Sequence, residues 1–363
     1  MRSWLVAILV LVAGVGNTAQ PNAPLDTPTG TPPASSKGDK KTERVVLITG
    51  ASSGIGYATA LEFARNPMYK VYATMRSPEK WEVPASEEGI SWSNLIVRSL
   101  DVTDAKSVHA AVTEIAEDEN GKIDIVINNA GYGLAACLEG ASIEEAQKLF
   151  DVNVWGVVRT LQEVLPYMRK RKNGHVINIS STSGIRGIPC MEYYAGSKFA
   201  LEGIADSMRF SLAAFNISVT QINAGPVRTK FTDVDGNKDK GGWGTRTIPG
   251  DDEDGNYLEN FAQTMVDSLN SRMKSGEAQD QNEVAKVIVN LAHMKDAARK
   301  IVEVPFNIGT NQASQGVIEA VRKNPTGWTG MYAQLLGVVP PMSKGKTDAE
   351  KDAGVKISER EEL

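Results

Sequence analysis

From Arg44 onward the chain alternates between two hydrophobic patterns. Short, near-continuous apolar runs rich in β-branched residues recur as RVVLIT (44–49), KVYATM (70–75), NLIVRSL (94–100), IDIVIN (123–128), HVINIS (175–180) and ISVTQI (217–222). KIVEVPF (300–306) is a weaker seventh. Between them lie longer segments with helical spacing, such as YATALEFARN (57–66), which Pro67 stops. Apolar runs without alternation are strands buried on both faces, and the periodic segments between them are crossover helices. The pattern predicts an α/β fold: a single doubly wound domain of about seven parallel strands with helices on both faces. Ligands then bind beyond the carboxyl ends of the strands.

The pattern lapses at both ends and once inside. Residues 1–19 open with Arg2 and an apolar run from Leu5 to about Gly16, then small residues. The run is short for a membrane span, which needs about 18 residues or more, and fits a secretory signal peptide, with an uncleaved anchor as the alternative. Residues 20–42, rich in Pro, Thr, Ser and Gly, read as a disordered linker. The domain is placed at 43–335, with an insertion at 232–282 rich in Gly and Asp. Such an excursion near strand ends is either a binding lid or a plain insertion. The tail, 336–363, is polar and ends Arg360-Glu361-Glu362-Leu363. It resembles the retention signals of endoplasmic-reticulum luminal proteins, which a receptor reads. A secretory start and a retention-like end together predict that lumen as the location, with membrane anchoring or secretion as alternatives.

Composition narrows the function. The chain has 363 residues, 41% apolar, enough for a sizeable core, and a net charge of only −5. No basic stripe is present, so nucleic acid is not an expected partner. Two cysteines, Cys137 and Cys190, are too few for a disulfide framework. Three scattered histidines offer no metal-ligand spacing, and no metal is expected.

The first apolar run leads into TGASSGIG, with Thr49, Gly50, Gly54 and Gly56. Glycines between a strand and a helix permit a tight turn and let the helix N-terminus approach a pyrophosphate. About 20 residues further on, an acidic residue would select NAD through the ribose hydroxyls. Arg76 stands there instead. Its guanidinium suits a 2′-phosphate, and Ser53 adds a hydroxyl donor, so NADP(H) is the expected cofactor.

In YYAGSKFALEG (193–203), Lys198 lies four residues after Tyr194, on the same helical face, and Tyr193 points elsewhere. Tyr194 is therefore the candidate acid, and Tyr193 is packing or substrate wall. An ammonium beside a phenol lowers its pKa, and a tuned phenol can exchange a proton with a ketone or alcohol oxygen. NISSTSG (178–184), at a strand end, offers Ser180, Ser181 and Ser183 to hold that oxygen, and spacing does not choose between them.

TGASSGIG, NNAG (128–131), DVNVWG (151–156), the serine segment and YAGSK occur in order. Together they resemble the short-chain dehydrogenase/reductase family, whose domain is of Rossmann type, over about residues 44–230. The resemblance implies Ser181 as the catalytic serine, Tyr194 and Lys198 as its partners, and Asn153 holding a proton-relay water. It places the cofactor against Thr49, Gly50, Ser52, Ser53, Gly54, Ile55 and Gly56, with Asp101 at the adenine and Asn129 and Gly131 nearby. Pro226 and Val227 fall against the nicotinamide, with Thr229 near its carboxamide.

KVYATMR, YYAGSKFALEGIADSM and INAGPVRTKF are most similar to the branch holding 17β-hydroxysteroid dehydrogenase type 1 and the photoreceptor-type retinol dehydrogenases. That implies an NADP(H)-dependent enzyme interconverting a hydrophobic carbonyl and its alcohol, a steroid substrate being favoured over retinal or another lipid carbonyl. A non-catalytic NADPH-binding protein is the alternative from another class. The resemblance also implies a homodimer through the Tyr194 helix and the DVNVWG segment. Cys137 and Cys190 are expected near the active site; pairing, which an oxidising lumen would permit, is not the expectation. Of two sequons, at Asn178 and Asn216, the first falls in a predicted buried strand and is not expected to be glycosylated.

Overall fold

The computed structural model describes residues 43–81, 92–229, 278–297, 307–310 and 312–323, with isolated positions at 231, 264, 267 and 271. The leader and linker, nearly all of the insertion and the tail lie outside the described residues.

Strand β1 (Arg44–Ile48) leads into helix α1 (Gly54–Ala64), then β2 (Tyr69–Met75) and β3 (Leu95–Ser99). Helix α2 (Ala105–Asp118) and β4 (Ile125–Asn128) follow. Helix α3 (Ile143–Phe150) runs through a π-helical segment, Asp151–Trp155, into α4 (Gly156–Arg171). Then come β5 (Gly174–Ser181), α5 (Glu192–Ala213) and β6 (Ile217–Ala224). The short β7 (Val227–Arg228) and β8 (Gln279–Asp280) pair apart from the main sheet. Helix α6 (Gln281–Ala297), β9 (Asn307–Gly309) and α7 (Gln312–Lys323) complete the described elements.

The main sheet has seven strands in the order β3-β2-β1-β4-β5-β6-β9, every neighbouring pair parallel. The six clear apolar runs are its first six strands. Residues 300–306, the weaker candidate, lie outside the described residues; the seventh strand, β9, begins directly after them.

Successive residues of β1 explain why no alternation is visible in the sequence. Val45 and Leu47 face one core with Val112 and Ile115 of α2, Val164 and Met168 of α4 and Leu201 of α5. Val46 and Ile48 face a second core with Phe63 of α1 and Val284 and Ile288 of α6. Both faces are covered, so both sets of positions are apolar. Full burial of one such side chain stabilises by about 1.5–3 kcal/mol, more than the propensity of any single residue.

Because the strands are parallel, their carboxyl ends form one edge. The chain order reverses between β1 and β4, so the crevice opens beyond those two strands.

Candidate active site

The loop between β1 and α1 is built for close approach. Gly50 and Gly54 have φ of 66° and 62°, which L side chains rarely adopt. A Cβ on Gly50 would stand 2.7 Å from Ala130 Cα, and one on Gly56 would stand 2.3 Å from Asn129 Nδ2. Asn129 braces the loop: its Nδ2 donates to the carbonyls of Thr49 (3.0 Å) and Gly50 (2.9 Å). Thr49 Oγ1 accepts from the backbone N–H groups of Asn129 and Ala130 at 3.1 and 3.2 Å. Helix α1 begins without a side-chain cap on Ser53 and with no acidic residue in its first turn. Its N-terminal donors and dipole therefore face an anion site without competition. Ser52 is exposed, while Ser53 and Ile55 are half-buried. At the end of β2, Arg76 is exposed, with no charged or hydrogen-bonding partner among the described residues. These features fit a dinucleotide with a 2′-phosphate.

The other expected contacts line the same edge. Asp101 follows β3, its Oδ1 held by the Thr103 N–H and hydroxyl at 2.9 and 2.7 Å. Gly131 follows β4; a Cβ there would stand 3.0 Å from Asn153 Oδ1. Beyond β6, the Pro226 carbonyl accepts from Gln279 N–H, and Val227 is buried. Thr229 reaches back over the glycine loop, close enough that a Cβ on Gly54 would meet its side chain at 3.3 Å.

Ser181 closes β5, and its Oγ accepts from Ser183 N–H at 3.0 Å. Helix α5 starts at Glu192, which puts Tyr194 and Lys198 on one buried face and leaves Tyr193 half-buried, its hydroxyl donating to Leu138 O at 3.0 Å. Burial pushes the Tyr194 pKa up to about 12, and the Ser181 hydroxyl works against that rise. Burial brings the Lys198 pKa down to about 8, opposed by Glu202. Lys198 Nζ donates to Ile179 O at 2.8 Å and lies 5.8 Å from the Tyr194 ring centroid. In the protein alone burial outweighs the Ser181 hydroxyl, and the phenol stays above its ordinary range.

Asn153 sits in the π-helical segment. Its amide donates to Tyr132 O (3.0 Å) and Ser197 Oγ (3.1 Å), and its Oδ1 accepts from Tyr132 N–H (3.0 Å). Ser197 in turn donates to Tyr194 O at 2.7 Å. The side chain is thus fully used in tying the β4 loop to the tyrosine helix.

An apolar wall adjoins the tyrosine: Leu134, Ile188 and Met191 cluster with Tyr194, and the Phe231 ring lies 5.8 Å from the Tyr194 ring. Sequence reasoning missed this wall, because its members come from three loops with no period. The wall is laced by a Cys137–Cys190 disulfide and by a parallel bridge between Ala136 and Met191. The pairing corrects the sequence expectation: two cysteines 53 residues apart give no sign of it, yet the β4 loop and the approach to α5 run side by side. Asn178 is fully buried in β5, the buried strand that the sequence predicts.

Fold and site together define the class: a doubly wound α/β domain of the dinucleotide-binding type, with a Ser–Tyr–Lys set at the carboxyl edge. The family model for short chain dehydrogenases matches residues 44–240. The chain belongs to that family. Retinol dehydrogenase 8 of Homo sapiens is 42% identical over 191 residues, 52% of this chain and 60% of that protein. Human 17-beta-hydroxysteroid dehydrogenase type 1 is 41% identical over 193 residues, 52% of this chain and 58% of that protein. The match thus spans about three fifths of the length of these curated relatives. A crystal structure of an alcohol dehydrogenase from the archaeon Thermococcus sibiricus, complexed with 5-hydroxy-NADP, is similar with a TM-score of 0.55 and 25% identity, covering 74% of this chain and 95% of that one.

Proposed function

We propose that the protein is an NADP(H)-dependent oxidoreductase that interconverts a hydrophobic ketone or aldehyde and its alcohol. The observation that carries this is the convergence of Ser181, Tyr194 and Lys198 beside an apolar wall, on the same strand edge as the glycine cradle. The cradle and Arg76 would hold the dinucleotide, which when bound supplies the hydride equivalent to the carbonyl carbon.

Tyr194 donates the proton. Burial keeps its phenol neutral at physiological pH, the state a proton donor needs. The Ser181 hydroxyl holds the carbonyl oxygen within the tyrosine's reach. Lys198 is mostly ammonium below pH 8 and favours the phenolate that forms as the proton leaves. With its side chain engaged, Asn153 has its backbone carbonyl to offer a relay water. In the reverse direction Tyr194 takes the proton from the alcohol.

A steroid 17-keto or 17β-hydroxy substrate is the first choice and retinal the second: the shared segments belong to a branch that holds both kinds of enzyme, and of the two named relatives one is a steroid dehydrogenase and the other a retinol dehydrogenase. Among the described residues no helix is long and apolar enough to cross a membrane. The signal-like composition of residues 1–19 and the retention-like Arg360-Glu361-Glu362-Leu363 are what favour residence in the endoplasmic-reticulum lumen. Exposed Trp155, Phe199 and Phe210 support a homodimer through the π-segment and α5.

The test is NADPH oxidation by purified protein against steroid ketones, retinal and simple aromatic ketones. Tyr194→Phe should lose turnover by at least ~100-fold while still quenching on NADPH titration. Near-full activity in that variant sinks the assignment; turnover of retinal alone moves the substrate to the retinoid class.

A further inference from the structure

Glu202 lies one helical turn beyond Lys198 and two beyond Tyr194 on α5, so the three share a face. A Lys–Glu pair at this spacing is usually a solvated surface pair worth a few tenths of a kcal/mol. This one is different. The lysine ammonium bonds to Ile179 O, not to the glutamate. The glutamate is half-buried and turns to the strand ends. Its Oε1 accepts from Asn223 Nδ2 at 2.5 Å, and the same nitrogen reaches the carbonyl of Ser181 at 3.4 Å. Burial pushes the Glu202 pKa up, and the nearby Ser180, Asn223 and Gln221 side chains and the Lys198 ammonium work against that rise. The absence of a side chain at Gly184 permits the approach: a Cβ there would stand 2.9 Å from Ser180 Oγ and 3.1 Å from Glu202 Cγ.

We propose that Glu202 is a positioning residue of the catalytic machinery: its carboxylate holds the Ser181 strand end through Asn223 and balances the buried ammonium of Lys198. The proposal rests on the reading of Tyr194 and Lys198 as proton donor and partner. On α5 the titratable groups sharing this face are Tyr194, Lys198 and Glu202. Strands β5 and β6 and the 182–184 turn present Ile179 O, Ser180, Ser181, Gln221 and Asn223, none of them charged. Among the described residues Glu202 is the charge that acts on Lys198, and it raises that lysine's pKa against the pull of burial.

The experiment compares wild type, Glu202→Gln and Glu202→Asp. The Lys198 side-chain carbon is titrated by NMR in lysine-labelled free protein, assigned with Lys198→Met, and kcat/KM for ketone reduction is followed against pH. Glu202→Gln should move the lysine midpoint down by about one pH unit or more and carry the alkaline limb of kcat/KM with it. Glu202→Asp keeps the charge but not the reach to Asn223: the midpoint stays near wild type and kcat falls several-fold. A wild-type midpoint in Glu202→Gln overturns the charge balance, and a wild-type kcat in Glu202→Asp overturns the tie to Ser181. Should Glu202→Gln not fold, the aspartate variant still decides the tie. The titration needs no turnover, so an inactive wild type with a shifted midpoint in Glu202→Gln overturns the enzymatic reading and leaves the charge balance standing.

Discussion

Arg76 and Glu202 are both charged residues near strand ends, and they do opposite things. Arg76 is exposed, without a partner among the described residues; Glu202 is half-buried and accepts from the Asn223 amide. A planar cation left free at the end of β2 is suited to a 2′-phosphate. A charge-assisted hydrogen bond is worth about 1.5–3 kcal/mol, so Arg76→Ala should narrow the NADPH-over-NADH preference in kcat/KM by about 10- to 100-fold. An unchanged ratio would show that other groups select the cofactor. Arg76 was legible in the sequence because it stands at a fixed distance from the glycines. Tyr194 was legible over its neighbour because helical spacing aligns it with Lys198, and the observed helix start at Glu192 agrees. Glu202 was not: on a helix, a carboxylate four residues after a lysine reads as solvated, and only the strand ends packed against it reveal another role.

At the scale of elements, the strands were easiest to read, since burial on both faces writes an unbroken apolar run. The short β9 carries three residues, too few for such a run, and is placed by its pairing with Gln221, Ile222 and Asn223 of β6. The π-segment around Asn153 also escaped the sequence, because DVNVW carries no mark that distinguishes a π-turn from an α-turn. The loop after β4 and the approach to α5 are joined twice, by backbone and by disulfide, beside Tyr194. Closing a loop of this size contributes about 2–4 kcal/mol. In protein made under oxidising conditions, neither Cys137 nor Cys190 should react with maleimide before reduction, and reduction should lower the Tm and raise KM for bulky ketones more than kcat changes. Labelling of both thiols in native oxidised protein would count against the bridge.

For the whole molecule, the active site contributes to the alkaline stability profile. The Lys198 pKa lies near 8 in the folded protein against 10.5 ordinarily. Between those values the unfolded chain binds more protons, so stability rises with pH. Tyr194 keeps its proton to about 12 against 10.0 ordinarily, so above pH 10 its contribution runs the other way. Holding the buried ammonium at neutral pH costs about 3 kcal/mol. Lys198→Met removes that cost but also the bond to Ile179 and the counter-charge of Glu202, so any gain in Tm at pH 7 should shrink towards pH 10, while turnover disappears. A Tm gain that does not shrink with pH would trace the effect to packing.

The Asn129 brace has a consequence for how the dinucleotide arrives. Every polar group it uses is already satisfied within the protein, between the end of β4 and the loop after β1. The loop's chain entropy is therefore given up once, when the protein folds, and not again at each encounter. Empty and loaded forms should superimpose over residues 49–56, and arrival there becomes a matter of collision and charge rather than of waiting for the backbone to organise.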